Sequence, residues 1–434
     1  MKKVLILAYF FPPCNLPASQ RSYSWAKYFY KYGYYPVIIT RRWDKKINTQ
    51  KDLSAKSEPN IIHKKYSTYE VFYLPYKQNL RDKIYTKYGD KRFVFLRKLL
   101  SFVEILLQNI TNRTIPYRNI YKFSLQYIKD NNLDKNRNKI KKIIITGNPF
   151  ILYKFGYLLN KKLGTKWIAD YRDPWTTSET TNINKNFLYK LLIRIDSYFE
   201  KKWVNTASVI TSVSKSLTDK ISNFVKTHGE VIYNGLVLGD FDKYRTLKPF
   251  DIFTISYIGT LYNDHKIEIF CNALKKLINS TKNPKIRVLF PGLAYDKYQR
   301  QRIEQIMKGY EKYYKYSGRT DREKILEIEV KSHLLLYVAW ENFGGVPCKI
   351  YEYIASKSYI LVTPTDNSSV ENIINKSKCG IITNTVDETY IFLKKVYQKY
   401  LQGIKLGNDI EKDNIKQFSR ELQVKKLADI LEKI

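Results

Sequence analysis

The apolar positions follow two rhythms that alternate down the chain. Val4-Leu-Ile-Leu-Ala8, Ile143-Ile-Ile145 and Tyr359-Ile-Leu-Val362 are apolar on consecutive residues, the mark of short strands buried on both faces. Between such runs the period lengthens to that of amphipathic helices. The first unit reads as a strand over residues 3–10, a loop from Pro12-Pro13 to Ser19, and a helix over 22–31 whose inner face is Trp25, Ala26, Phe29 and Tyr30. Gly33 stops that helix, and a second strand covers 35–40. A βαβ unit of this kind requires a parallel sheet. Further strands are predicted over 70–74, 142–146, 166–170 and 207–212, with Ser214 capping the helix that follows. Residues 44–92 otherwise read as polar loops, and 93–110 as a strongly apolar helix beside a basic cluster. After a linker over 236–250 the series restarts, with strands at 253–258, 286–290, 333–339, 359–362 and 379–383 and a helix over 266–278. The tail ends in a capped amphipathic helix. The predicted class is α/β with two Rossmann-like domains, residues 1–240 and 241–415, followed by a C-terminal helix over 416–434 for which crossing back to the first domain is one open placement.

Composition agrees with two buried cores. The chain has 434 residues, enough for two domains of about 200 each by the usual size prior. Apolar residues make up 44% and aromatic residues 15%, which excludes a disordered chain. The formal net charge is +36, and residues 1–150 carry 30 Lys and Arg against 9 Asp and Glu, so the first third alone supplies +21. That bias favours an anionic partner, whether phospholipid, nucleic acid or a phosphorylated substrate. Cys14, Cys271, Cys348 and Cys379 are far apart, and His63, His228, His265 and His333 share no metal-ligand spacing with them. Reduced thiols in a cytosolic protein are the simplest account, with no metal or cofactor expected. The apolar start is short, ends in Pro12-Pro13 and has no small-residue cleavage site, so it reads as a first strand and not as a signal peptide. No run of 18 uninterrupted apolar residues predicts a spanning helix.

Candidate chemistry concentrates at Glu341-Asn-Phe-Gly-Gly-Val-Pro-Cys-Lys349-Ile-Tyr-Glu352. A strand, a glycine turn and a helix start offer backbone N–H groups and a few polar side chains to a phosphorylated ligand. Glu352 is placed to accept from a ribose diol, and Lys349 to face a diphosphate. An ordinary helix start carrying Glu for dipole reasons is the alternative. The first βαβ unit lacks Gly-x-Gly-x-x-Gly, so its turn is not a dinucleotide site. Arg21, Arg41 and Arg42 fall at carboxyl ends of predicted strands, where open α/β sheets bind ligands.

These features together resemble the GT-B glycosyltransferases of family 4. Phe10-Phe-Pro-Pro with Arg21, then Ile38-Ile-Thr-Arg-Arg-Trp43, is similar to the opening of bacterial members. Asp170-Tyr-Arg-Asp-Pro-Trp175 is similar to the Asp-x-Arg-Asp-Pro-Trp signature of one branch. Val213-Ser214 and Tyr233-Asn-Gly235 resemble the end of a first domain. Tyr257-Ile-Gly-Thr with Lys266, Gly318-Arg319, and Val346-Pro-x-Lys-x-x-Glu-Tyr-Ile-Ala355 resemble a nucleotide-sugar half, and the likeness spans the whole chain. The resemblance implies two domains facing across a cleft and transfer of a sugar from a nucleotide-sugar with retention. It places Gly259, Thr260, Lys266, Arg319, Gly345, Lys349 and Glu352 around the donor, and Arg172, Asp173 and Glu341 near the reacting sugar. Arg21, Arg41 and Arg42 are the candidate acceptor contacts. Thr260 stands where the family has an arginine, and Glu341 lies three residues ahead of the family's first glutamate. The lysines leave no need for a metal in the implied mechanism, although Asp173 reads equally well as a salt-bridge partner of Arg172. A lipid-linked or saccharide acceptor for surface polysaccharide is implied, with the protein cytoplasmic and peripheral on the inner face of the membrane. Residues 81–112 join a basic rim to a broad apolar face, which suits either a helix on an anionic membrane surface or one packed inside the domain. A basic nucleic-acid-binding protein and an inactive GT-B scaffold are the rival readings. No helix-turn-helix, zinc-finger or RNA-recognition pattern accompanies the first, so no nucleic-acid partner is expected.

Overall fold

Residues 1–47, 49–111, 117–133, 140–178, 187–318, 320–340, 344–404, 406 and 415–434 are described by the computed structural model. Contacts divide the chain into two units, residues 1–233 with 423–434 and residues 234–422.

The first unit is built on β1 (Lys2–Ala8), β2 (Tyr34–Arg41), β3 (Ile62–Lys65), β4 (Glu70–Leu74), β5 (Lys142–Thr146), β6 (Lys166–Tyr171), β7 (Val209–Ser212) and β8 (Gly229–Val231). Their order in the sheet is β3-β4-β2-β1-β5-β6-β7-β8, parallel throughout except for β3. Leu5, Leu7, Val37, Ile39, Ile143 and Ile145 point into one core. Val4, Ile6, Ile38, Ile144 and Ile168 point into the other, with Trp25 and Phe29 of the first crossover. Burial on both faces is why these strands show no alternation in sequence. Pro36 is tolerated in β2 because pairing with β4 begins only at Val37.

The second unit holds β9 (Phe253–Ser256), β10 (Ile286–Pro291), β11 (Tyr314–Ser317), β12 (Leu334–Tyr337), β13 (Tyr359–Val362) and β14 (Gly380–Ile382). They form a parallel sheet in the order β11-β10-β9-β12-β13-β14. In both sheets the chain starts at a middle strand, builds to one edge, then returns to build the other. The order therefore reverses between β1 and β5 and between β9 and β12, and ligands of open α/β sheets bind at such points beyond the carboxyl ends of the strands.

The C-terminal helix Arg420–Lys433 does return to the first unit. Val424, Leu427, Ala428 and Leu431 are buried with Val4, Ile6 and Trp25, and Glu432 pairs with Lys2 at 2.7 Å. The boundary falls nearer the N-terminus than residue 240. The stretch read as a linker belongs to the second unit, because Asp240 pairs with Arg322 at 2.9 Å, Lys243 with Glu323 at 2.8 Å, and the Phe250 amide donates to the Lys331 carbonyl.

Residues 44–92 are more ordered than polar loops. They contain β3 and a helix over Leu80–Tyr88 capped by the Asn79 side chain, which accepts from the Asp82 amide at 2.8 Å. β3, β8 and β11 are the strands the pattern misses, and all three are edge strands. Ile62-His-Lys-Lys is an edge strand exposed on most residues, and Tyr314-Lys-Tyr-Ser is the opposite edge of the other sheet. Charged edges of this kind discourage pairing with other chains and carry no apolar signal. Among the described residues, no helix is long and apolar enough to cross a membrane.

Candidate active site

The second unit concentrates its chemistry at the reversal between β9 and β12. After β9 the chain turns at Gly259, whose φ is +100° and whose missing side chain would point into open space. Only glycine holds that backbone without strain while leaving room for a ligand. The Gly259 amide donates to the Pro291 carbonyl at 3.0 Å, and the half-buried Thr260 gives its carbonyl to the Tyr257 hydroxyl at 2.9 Å.

Helix Cys348–Ser356 starts just beyond the buried Gly345. Its second residue, Lys349, sends an ammonium back across the sheet. That ammonium lies 4.4 Å from the ring centre of Tyr257 and 5.1 Å from that of Tyr337, and 3.2 Å from the Tyr257 hydroxyl. Loss of water lowers its pKa to about 7. His265 closes the same corner, where burial first and then the charges of Lys349 and Arg302 hold its imidazole down at about 4. Lys349 is therefore a lysine only partly charged near neutrality, beside a neutral histidine, at the place where a sheet of this topology meets its ligand. Lys266 is exposed and begins helix Ile267–Asn279. Tyr262 stacks on Trp340 at 5.9 Å, an aromatic pair joining the loop after β9 to the loop after β12.

Glu352 lies one turn further along helix Cys348–Ser356, partly exposed. It forms an ion pair with Arg322 at 2.5 Å, and Arg322 also holds Asp240. Beneath them Glu329 is wholly buried with both carboxyl oxygens unpartnered, and burial together with the Glu352 charge pushes its pKa well up. Arg319 and Glu341 lie outside the described residues.

In the first unit the Asp170-Tyr-Arg-Asp-Pro-Trp175 stretch divides into buried supports and one exposed pair. Asp170, at the end of β6, is wholly buried and accepts from Arg21 at 2.6 Å and from the Thr211 hydroxyl at 2.7 Å. Arg21 also donates to the Ile232 and Tyr233 carbonyls at 2.8 and 3.1 Å. This corrects its expected role: a guanidinium engaged inside the domain is a clamp between the first crossover helix and β6, not an acceptor contact. Tyr171 donates to Glu200 at 3.0 Å, and Trp175 stacks on Phe150 at 5.2 Å. Arg172 and Asp173 pair with each other at 2.8 Å, their side chains 20% and 47% exposed.

Arg41 and Arg42 diverge. Arg42 is paired with Asp44 and donates to the Asn60 carbonyl at 3.1 Å, its side chain 12% exposed. Arg42 is not among the residues lining the cavity at the β1–β5 reversal. Arg41 does line that cavity, whose volume is about 1130 Å³. Tyr9 and Phe10 after β1 and Asn148-Pro149 after β5 form its floor, and helix Val94–Ile110 forms a wall. Sequence reasoning missed Tyr257 and Tyr337, which enclose Lys349, and Arg322, which faces Glu352. Arg322 carries one local signal, its place at the start of a helix directly after Gly318-Arg319.

No protein-family model matches this sequence, and no curated protein does. Solved structures match it over nearly its whole length. A sucrose-phosphate synthase from Thermosynechococcus elongatus shares 12% identity with a TM-score of 0.62, covering 100% of this chain and 99% of its own. An α,α-trehalose-phosphate synthase (UDP-forming) from Burkholderia xenovorans, in complex with glucose-6-phosphate, shares 8% identity with a TM-score of 0.61, covering 99% and 100%. The HepE protein of Anabaena, in complex with UDP and glucose, shares 11% identity with a TM-score of 0.57, covering 100% of each. At such identities the common ground is the fold, and the chain has the GT-B fold of two Rossmann-like domains.

Proposed function

We propose that the protein is a retaining glycosyltransferase that moves a sugar from a nucleotide-sugar to an acceptor. The observation that carries this is the Lys349 ammonium, poised beside the open Gly259 turn at the strand-order reversal of the second sheet. Departure of a nucleoside diphosphate builds negative charge, and a preorganised cation in a water-poor site stabilises that charge more than it stabilises the ground state. Lys266 at its helix start adds a second cation, so the reading requires no metal. Glu352 takes the ribose diol, with Arg322 holding its carboxylate in place. Asp173 orients the acceptor and Arg172 limits its swing. Solved structures of the same fold include one with UDP and glucose and one with glucose-6-phosphate, which makes UDP-sugars the first donors to try.

We place the protein in the family-4 branch carrying Asp-x-Arg-Asp-Pro-Trp, on surface polysaccharide with a lipid-linked acceptor, at the cytoplasmic face of the membrane. The sequence stretches quoted above support the branch. The exposed apolar face of helix Val94–Ile110, with Phe95 81% and Leu99 48% exposed, supports the membrane. Incubation with UDP-sugars tests the reaction. UDP release together with an α-configured product from an α-configured donor is expected. An inverted product would overturn the retaining mechanism, and absence of UDP release from any donor that binds would favour an inactive scaffold.

A further inference from the structure

We infer that Glu200 is the positioning residue of the Arg172–Asp173 loop: ionised, it clasps the loop at both ends, and protonation loosens that hold. The inference rests on the reading of Asp173 as the group that orients the acceptor, and it adds the group that regulates that orientation.

Glu200 stands on helix Phe187–Val204 and is wholly buried. Its Oε1 accepts from the Tyr171 hydroxyl at 3.0 Å. Its Oε2 accepts from the Thr176 amide at 3.1 Å and from the Thr176 hydroxyl. Tyr171 ends β6 and Thr176 follows Trp175, so the two anchors bracket Arg172 and Asp173 along the chain. The same helix supplies the rest of the seat: Trp203 stacks on Trp175 at 5.9 Å, and Asp196 lies against Trp175 and Asn109. How closely the Asp173 carboxylate is placed therefore depends on how firmly residues 171 and 176 are held.

All three bonds run toward Glu200, so the seat fits a group that only accepts, and the carboxylate is that group. A protonated acid must donate from one oxygen, and both oxygens already face donors. Bonds to a charged acceptor are roughly twice as strong as neutral ones, so protonation weakens the hold even where a hydroxyl turns round. Burial acts the other way. No lysine or arginine pairs with Glu200 among the described residues. The titratable groups that face it are Asp196 on its own helix, Tyr171 on β6 and Tyr153 on helix Ile151–Leu163. Lys154, on that last helix, is occupied by the Gln108, Asn109 and Thr111 carbonyls at 2.7, 3.0 and 2.8 Å. A buried carboxylate without a counter-charge is costly. Desolvation accordingly raises the Glu200 pKa to about 7, against the downward pull of its hydrogen bonds to Thr176 and Tyr171. Seat and burial thus balance near neutrality. The donor site titrates in the opposite functional sense, because Lys349 loses its charge above about 7. Turnover at saturating donor should therefore rise with pH through 7 while donor affinity falls.

Tryptophan fluorescence of the full chain, titrated from pH 5 to 9 without any nucleotide-sugar, reads the loop through Trp175, and Trp175→Phe identifies its share of the signal. A transition near pH 7 is expected that is absent from Trp175→Phe and from Glu200→Gln. Thr176→Val deletes one donor to the carboxylate and should move the transition to higher pH, which decides the matter if Glu200→Gln does not fold. No transition in the parent, or one that Glu200→Gln retains or Thr176→Val leaves unmoved, overturns the proposal. UDP release from UDP-glucose at saturating donor, with water as acceptor, reads the consequence for the reaction. The parent rate should climb to a plateau above pH 7. Glu200→Gln should be slower by about tenfold or more and lack that climb, with KM for UDP-glucose unchanged. A parent-like rate and profile, or a KM that rises as kcat falls, would make Glu200 a structural group and overturn its positioning role. The two measurements separate this inference from the transferase reading. A fluorescence transition in a parent that releases no UDP contradicts that reading and removes the loop's part in it, whereas UDP release without the transition contradicts the inference alone.

Discussion

Lys349 is a lysine held among tyrosine rings, and its titration is the most direct handle on the site. Desolvation brings its pKa to about 7, below that of an exposed lysine, so near neutrality the free protein is only partly charged there. A diphosphate binds the ammonium form, so binding above pH 7 must draw in a proton. Affinity for UDP-glucose should fall up to about tenfold for each pH unit above 7, and level off below it. Lys349→Met should weaken binding and flatten that slope in titrations between pH 6 and 9, and a slope retained in the variant would move the linked proton to another group. Glu352→Ala removes two charge-assisted hydrogen bonds to ribose, each worth roughly 1.5–3 kcal/mol, so donor affinity should drop by a few kcal/mol with far-UV circular dichroism unchanged. An unaltered KM for the nucleotide-sugar would end the ribose assignment. Arg21→Met leaves Asp170 as an unpaired charge in the core and should cost about 3–5 kcal/mol in urea unfolding, because one partner of a buried pair has been removed. None of these partnerships is visible locally. Arg21 and Asp170 are 149 residues apart, and Lys349 meets Tyr257 across 92. Residue type and strand-end position pointed to the right neighbourhoods, but only the folded sheet shows which arginine is a clamp and which lines a cavity.

At the scale of elements, helix Val94–Ile110 separates the two alternatives left open by its sequence. It is not packed inside the domain: Phe95, Leu96, Leu99, Val103, Leu107 and Ile110 are all exposed, and Asn109, bonded to Asp196 at 2.9 Å, is its one buried residue. A broad apolar face with Lys91, Arg92, Arg97 and Lys98 at its start suits an anionic interface, where each cation near the surface contributes about 1 kcal/mol. The protein should therefore cosediment with anionic vesicles at low salt and remain partly bound at high salt. Phe95→Glu combined with Leu99→Glu should abolish the salt-resistant fraction, and failure of the parent to bind at low salt would remove the membrane from the account. The elements legible beforehand were those with both faces buried, such as β1, β5 and β13, because burial writes itself as consecutive apolar residues. Edge strands β3 and β11 were not legible, since half or more of each faces water.

For the whole molecule, the twofold α/β layout could be read from the order of apolar runs, and the last helix from its amphipathic spacing, but not which unit that helix covers. The domain boundary could not, because residues 236–250 look like a linker until Asp240 and Lys243 are seen to hold the second unit's own Arg322 and Glu323. The central claim is that the second unit binds a nucleotide-sugar at its strand-order reversal. Thermal unfolding with UDP-, GDP- and ADP-sugars, each far above its Kd, tests that claim most directly. At a hundredfold excess over Kd, one of them should stabilise the protein by about 2.7 kcal/mol, a rise in Tm of roughly 5–10 °C for units of this size, and Glu352→Ala should remove it. No shift with any of the three, together with DNA binding that falls steeply with salt, would contradict the account and favour a basic nucleic-acid-binding protein on a glycosyltransferase scaffold.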